Sequence, residues 1–287
     1  MTRVIFTVPD DFSLRTTLRS HGWRHLKPFV PDDDRNTLTR VHKFDDAKVC
    51  QIVIQDSTNG SLSITSDADV NPEALIAVAR HMLQLDVELG KFHDYCSAIP
   101  KLSHMKQQRL GRMLRSPTLF EDVVKVIATV NTTWAQTCGM VNRLCDSFGE
   151  SWPGDPHKRT FPSAEQIATV PFDEFATKAR MGYRNAYVHA IATLVFAEEL
   201  NLENFPSQYP PGTDLRKAFL SLPGIGPYGA ACLMLYVGRP EHVNVDSWAR
   251  TLVSKEIGKK VSDKEVTLFF ETFGAWKGLV YVFYPWK

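Results

Sequence analysis

The stretch Leu222-Pro223-Gly224-Ile225-Gly226-Pro227-Tyr228-Gly229-Ala230 limits the possible folds of this chain more than any other. An amphipathic run, Asp214 to Leu222, leads into it, and a run of small and apolar residues, Gly229 to Val237, leads out. Two glycines around one aliphatic residue permit a tight turn between two helices, with positive φ available at Gly224 and Gly226. Ile225 then plugs the space between the helices. The backbone N–H groups of the turn and of the next helix face one way, which makes an anion site suited to a DNA phosphate and indifferent to base sequence. An ordinary connection that binds nothing uses glycine in the same way. The coincidence of a leading apolar residue, the turn and the small packing positions favours the anion site.

Twenty residues on lies His242-Val243-Asn244-Val245-Asp246-Ser247-Trp248-Ala249-Arg250. Asp246 stands where an N-cap is expected for a helix over 247–257. Capping does not exclude chemistry, because a carboxylate held at a helix start is rigidly aimed beside the positive end of the dipole.

LPGIGPYGA followed by VNVDSWARTL resembles the hairpin-plus-aspartate signature of the helix-hairpin-helix DNA glycosylases. Asn131-Thr132-Thr133-Trp134-Ala135 with Gly139-Met140-Val141 is similar to that family's segment entering the DNA minor groove. Met181 to Val188 is similar to its Tyr-Arg helix start, and Glu271 to Lys277 to its terminal Trp-Lys segment. The resemblance spans nearly the whole chain and implies an α+β fold: an antiparallel sheet domain over 1–97, then a helical body over 98–287 with the hairpin at 214–237. The sheet suits the 8-oxoguanine and 3-methyladenine branches, which carry such a domain.

The resemblance also implies roles. Asp246 would stabilise the positive charge that develops on the sugar and orient or deprotonate water. Gly224, Ile225, Gly226, Tyr228 and Gly229 would meet the DNA backbone. Asn131 would fill the gap left by a flipped base, Tyr183 would wedge beside the orphan base, and Arg184 would touch that base or a phosphate. Gln136 stands where the 8-oxoguanine branch has an arginine that reads the opposite cytosine, which weakens any claim to that specificity. The base pocket would draw on Tyr228, Trp248, Trp276 and Trp286, although aromatic residues near a C-terminus also serve as core.

Strand-cleaving relatives use a lysine two residues past the second hairpin glycine. Here that residue is Tyr228, and a phenol forms no imine. The expectation is therefore a monofunctional enzyme without lyase activity; Lys217, upstream on the lead-in helix, is a poor substitute. An aromatic residue at this position is shared with relatives that remove alkylated bases, and it stacks well on an electron-poor, cationic purine. Tyr228 merely packing the hairpin remains the alternative. Three readings stand: an alkylated-purine glycosylase, a glycosylase for oxidised or deaminated bases, or a catalytically silent DNA-binding protein.

Net charge is only +1, so any basic DNA surface must come from local clustering. Lys101 to Arg115 carries Lys101, Lys106, Arg109, Arg112 and Arg115 without an acid, and reads either as a solvated face or as a phosphate-tracking edge. His104 and His242 have no partner legible in sequence. Cys50, Cys96, Cys138, Cys145 and Cys232 form no CxxC pair, so neither a disulfide framework, a metal site nor an iron–sulfur cluster is expected. No cofactor is expected beyond a monovalent cation at the hairpin. The early acids exclude a signal peptide, and no apolar run is long enough for a membrane span. The expectation is a monomer inside the cell, at the nucleoid or in the nucleus, acting on damaged double-stranded DNA.

Upstream, Val4–Val8, Thr37–Phe44, Val49–Ile54 and Ser61–Thr65 read as strands, the last two joined at Asn59-Gly60. Asn71-Pro72-Glu73 opens a helix. Further helices are expected at 120–130, 135–148, 181–200 and 247–257.

Overall fold

In the computed structural model, residues 1–44, 48–243 and 245–285 are described, with the backbone alone at Asn59. Asn244 of the aspartate motif and Trp286 therefore lie outside the described residues. Strands β1 (Thr2–Thr7), β2 (Phe29–Asp32), β3 (Thr37–Lys43), β4 (Val49–Asp56) and β5 (Ser61–Ser66) form an antiparallel sheet in the order β1-β5-β4-β3-β2. Period-2 alternation sends Cys50, Ile52 and Ile54 of β4 inward. The Asn-Gly turn joins β4 and β5 as expected, with Asp56 opposite Leu62 and Gly60 at φ +69°. Strand β2 was not legible in the sequence. It is four residues long and contains Pro31, which the ladder tolerates because β2 is an edge strand.

Helix α1 (Pro72–Met82) covers the sheet with Leu75, Ala79 and Met82, and the Asn71 side chain accepts from the Glu73 N–H at 2.8 Å. The α+β expectation holds. The principal helices of the rest are α2 (Leu119–Thr129), α3 (Trp134–Phe148), α4 (Arg184–Phe196), α5 (Leu215–Leu220), α6 (Pro227–Tyr236), α7 (Ser247–Ile257), α8 (Asp263–Glu271) and α9 (Lys277–Phe283). Helix α4 is shorter than the pattern 181–200 suggested. It begins after the left-handed Arg180 and Gly182 and ends before Glu198 at φ +60°.

Helix α6 is apolar on every side, and Gly229 to Tyr236 are all buried, so it is the central helix of the body. One hydrophobic core runs from Phe12 to Tyr284, and a smaller one joins α7, α8 and Tyr281. Between sheet and body lies a buried charge network. Arg40 of β3 donates to Glu121 of α2 at 3.1 Å, and Lys125 donates to Glu121 at 2.6 Å while lying over the Phe29 ring. Burial alone would raise the Glu121 pKa, but Arg40 and Lys125 outweigh it and hold it at about 2.

In the basic run 101–115, Arg112 is buried and Arg115 half-buried, so these two are engaged within the protein, whereas Lys101, Lys106 and Arg109 stay on an exposed face. Arg112 donates to Gln84 O, Val87 O and Asp11, and Arg115 to the carbonyls of His81 and Tyr236. Arg109 donates to Phe12 O, Lys106 pairs with Asp94 and Lys101 with Glu256. Arg112 and Arg115 stitch the chain to itself, meeting carbonyls at the helix ends His81 and Tyr236 and in the turn at Gln84 and Val87. Among the described residues, no helix is long and apolar enough to cross a membrane.

Candidate functional site

The hairpin forms as the glycines demand, with one difference. Gly224 adopts φ +77°, but Gly226 lies in extended backbone at φ −96°, as the N-cap of α6 with Pro227 at its first position. Gly224 also has no room for a side chain, because a Cβ there would lie 2.6 Å from the Tyr187 ring. A Cβ at Gly226 would meet nothing within 4 Å. Gly226 is thus exposed and bare, which suits close approach by another molecule's backbone. Ile225 is buried and fills the angle between the helices, and Gly229 turns its α-carbon toward Val126 of α2. Those two shape the hairpin from within.

Asp246 caps α7, its Oδ1 accepting from the Ala249 N–H at 2.7 Å. The carboxylate also lines two adjoining cavities, of about 420 and 540 Å3, which share Thr129, Thr132, Tyr228 and Asp246 as common walls. The inner chamber is walled by rings: His21, Trp23, Trp134, Tyr228, Tyr236, Trp248 and Tyr281. Asp246 is the one carboxylate among its described lining residues, and no lysine or arginine lines it. Enclosure pushes the His21 pKa down to about 4, outweighing its bond to Leu114 O, so this ring is neutral. His21 stacks on Tyr236 at 5.0 Å, and Trp23 is anchored by its indole N–H on Asp122 at 2.8 Å. Burial pushes the phenols of Tyr228, Tyr236 and Tyr281 up, so all three are protonated donors.

The outer groove carries Asn131, Ser247 and Arg250. Asn131 is exposed and held in the left-handed region at φ +48°. Arg184 supplies the restraint: its guanidinium is buried and donates to the carbonyls of Val130, Asn131 and Met181. It therefore does not point at a base or a phosphate, as the sequence suggested, but shapes the turn that presents Asn131. Tyr183 is 54% exposed, stands 4.5 Å over the Arg184 guanidinium and meets Tyr187 edge-on at 6.0 Å. Gly224 beneath Tyr187, Tyr187 against Tyr183, Tyr183 against the Arg184 guanidinium and Arg184 on the Asn131 carbonyl thus form a chain of neighbours from the hairpin to the groove that Asn131 and Asp246 share.

Other expected residues lie elsewhere. Trp276 packs on Phe92 and lines a separate cavity with Gly238 and Leu279, since α9 turns its start away from the chamber. Gln136 is exposed but folds back to accept from the Thr133 N–H, completing a capping box on α3. Lys217 lines neither cavity. His104 lies against Phe283 O, and His242 is half-buried with its pKa lowered, chiefly by burial. Trp248 does line the chamber and is 59% exposed at its rim.

Several lining residues had no signal in the sequence. Ser20 to Trp23 come from beside the sheet, more than a hundred residues away from the hairpin. Trp134 closes over them, its indole against Gly22, where a Cβ would lie 2.5 Å away.

A sheet-bearing helical body with this hairpin beside an aspartate-lined chamber is the fold of the helix-hairpin-helix DNA glycosylases. A solved structure of MBOgg1 in complex with a low-affinity DNA ligand superposes with a TM-score of 0.75 at 25% identity, covering 99% of this chain and 95% of that one. A 3-methyladenine DNA-glycosylase from Archaeoglobus fulgidus superposes with a TM-score of 0.75 at 18% identity, covering 99% and 97%. In sequence, the chain is 23% identical over 244 residues to a probable N-glycosylase/DNA lyase of Methanothermobacter thermautotrophicus, covering 77% of this chain and 76% of that protein. No family model matches.

Proposed function

We propose that the protein is a monofunctional DNA glycosylase that hydrolyses the N-glycosidic bond of an alkylated, cationic purine flipped out of double-stranded DNA, and leaves the strand intact. The observation that carries this reading is the inner chamber: aromatic side chains around one carboxylate, with no lysine or arginine among the described lining residues and with the His21 ring neutral. Such a lining favours a positively charged base. A cation over a desolvated aromatic face gains about 1–2 kcal/mol, and a neutral lesion forgoes most of that.

A base inside the duplex is out of reach, so the nucleotide must be extruded. Gly226 and the start of α6 would take a phosphate through backbone N–H groups, Asn131 would occupy the vacated stack, and Tyr183 would wedge beside the orphan base. The flipped base would enter the chamber past Trp248, leaving its sugar beside Asp246. As the bond breaks, positive charge grows on the sugar and the carboxylate stabilises it. Water then attacks the anomeric carbon, its proton leaving toward Asp246 or solvent. A cationic purine departs without needing an acid, in keeping with a chamber that offers no charged donor. This hydrolysis needs no cofactor, and a monovalent cation beside the hairpin carbonyls would serve only phosphate binding.

Tyr228 supports the absence of strand cleavage, since no lysine is among the described residues lining the groove with Asp246 to form a Schiff base. Gln136, engaged in its capping box, supports a lack of discrimination for cytosine opposite the lesion. The test is a panel of duplexes carrying 3-methyladenine, 7-methylguanine, ethenoadenine, 8-oxoguanine or uracil, assayed for nicks with and without alkali. The reading expects alkali-dependent product on the cationic bases. Release of 8-oxoguanine alone would move the protein to the oxidised-base class, nicks without alkali would overturn the monofunctional assignment, and no release from any duplex would leave a DNA-gripping scaffold.

A further inference from the structure

Helix α9 carries Tyr281 into the lining of the chamber. The phenol donates to Asp246 Oδ1 at 3.3 Å. That oxygen already accepts from the Ala249 N–H. Both donors therefore fall on one carboxylate oxygen, and no hydrogen bond among the described residues falls on Oδ2. A carboxylate fixed through one oxygen has its plane and its second oxygen aimed. The Tyr281 ring is itself fixed: it is buried and meets Phe270 edge-on at 5.5 Å. A phenol aimed in this way is more than packing, because a leucine or phenylalanine fills the same volume without the bond.

We propose that Tyr281 is a positioning residue for Asp246, holding Oδ1 so that Oδ2 is presented to the sugar of the everted nucleotide. The proposal rests on Asp246 being the group that stabilises the developing charge. Ala249 N–H alone leaves the carboxylate free to swing about its Cβ bond, whereas two donors from different helices remove that freedom in advance. A phenol with its pKa raised by burial keeps its proton and stays a donor across the working range. The groups facing this carboxylate are Tyr281 from α9, Tyr228 and Cys232 from α6, and Arg250 from α7, the last ion-paired with Asp263.

The experiment compares Tyr281→Phe, Tyr281→Leu and Asp246→Asn by single-turnover excision from a duplex carrying 7-methylguanine, alongside lesion-DNA affinity. Tyr281→Phe should lower the excision rate roughly tenfold, the size of one hydrogen bond to a charged group, with affinity unchanged. A merely structural tyrosine would leave the excision rate as well as the affinity where they are, since phenylalanine preserves the ring and its packing. Tyr281→Leu should fall at least as far as Tyr281→Phe. Wild-type excision rate in Tyr281→Phe, with Asp246→Asn inactive, would overturn this proposal and leave the role of Asp246 standing. An active Asp246→Asn would instead remove the reading on which it rests.

Discussion

Gly224 lies beneath the ring of Tyr187, so close that a methyl group at position 224 would stand 2.6 Å from Tyr187 Cδ2. The hairpin turn is thereby locked against the helix that carries Tyr183 and Arg184, and backbone geometry and packing demand glycine at the same residue. Gly224→Ala combines left-handed strain with overpacking and should lose about 2–4 kcal/mol of stability, read from urea melts. Gly226→Ala has neither problem and should cost less than about 1 kcal/mol, the difference between glycine and alanine at an N-cap. Its added methyl should still weaken binding to undamaged duplex in an anisotropy titration, if a phosphate docks there.

Asp246→Asn keeps a side-chain oxygen for the Ala249 N–H, so the cap on α7 survives and the melting temperature should barely move. Excision should fall by about 10²–10⁴ while lesion DNA is still bound. A single-turnover assay beside a gel-shift titration separates the two quantities.

Arg184 donates to backbone carbonyls from within the protein. Arg184→Met should therefore weaken DNA binding by loosening the Val130–Asn131 turn, not by removing a phosphate contact. The slope of log affinity against log salt should stay constant, whereas loss of a phosphate contact reduces it by about one unit. Titrations at several salt concentrations decide between them.

Tyr228 is a wall and not a nucleophile in this reading. Tyr228→Phe keeps the ring and should excise cationic purines within about threefold of wild type, while Tyr228→Ala should lose more than about tenfold through lost stacking. Borohydride should trap no covalent DNA adduct with the wild-type protein.

Asp122, which anchors the Trp23 indole, is pushed up to about 6 from its ordinary 3.8, chiefly by burial and against the pull of Lys125 and Ser116. A raised folded-state value means that the carboxyl's contribution to stability is complete below pH 3.8 and is lost as pH rises through about 6. Asp122→Asn cannot titrate and should remove that component, so the stability difference from wild type shifts in the variant's favour between those limits. Denaturant melts from pH 4 to 7 give the measurement. Glu121 runs the opposite way, its stabilisation being lost only as pH falls toward about 2.

The parts of the molecule that were legible in the sequence are those whose chemistry is local. The hairpin needs a left-handed glycine within a few residues of an apolar plug, and Gly224 and Ile225 announce both. The Asp246 cap, the Asn71 cap and the Asn59-Gly60 turn are read from neighbours in the chain. The chamber was only half legible, because its walls are assembled across long separations. Nothing near Trp23 reveals that it will face Tyr236, and nothing near Tyr281 reveals a hydrogen bond to residue 246. Trp276 illustrates the converse: a motif places it in the right helix region, and the rotation of that helix sends it elsewhere. Arg184, Arg112 and Arg115 misled for one reason, that a basic side chain can satisfy backbone carbonyls within the protein instead of meeting a ligand.

The inner chamber takes wall residues from His21 and Trp23 beside the sheet and from Tyr281 and Val282 far along the chain. On the proposed reading, a fragment pared down to the hairpin and its flanking helices would keep the phosphate-binding turn but have nowhere to seat an extruded base. Selectivity among lesions should therefore drift through changes beside the sheet while the gripping element stays untouched, and a weakened seam between the two halves should blunt discrimination before it blunts affinity.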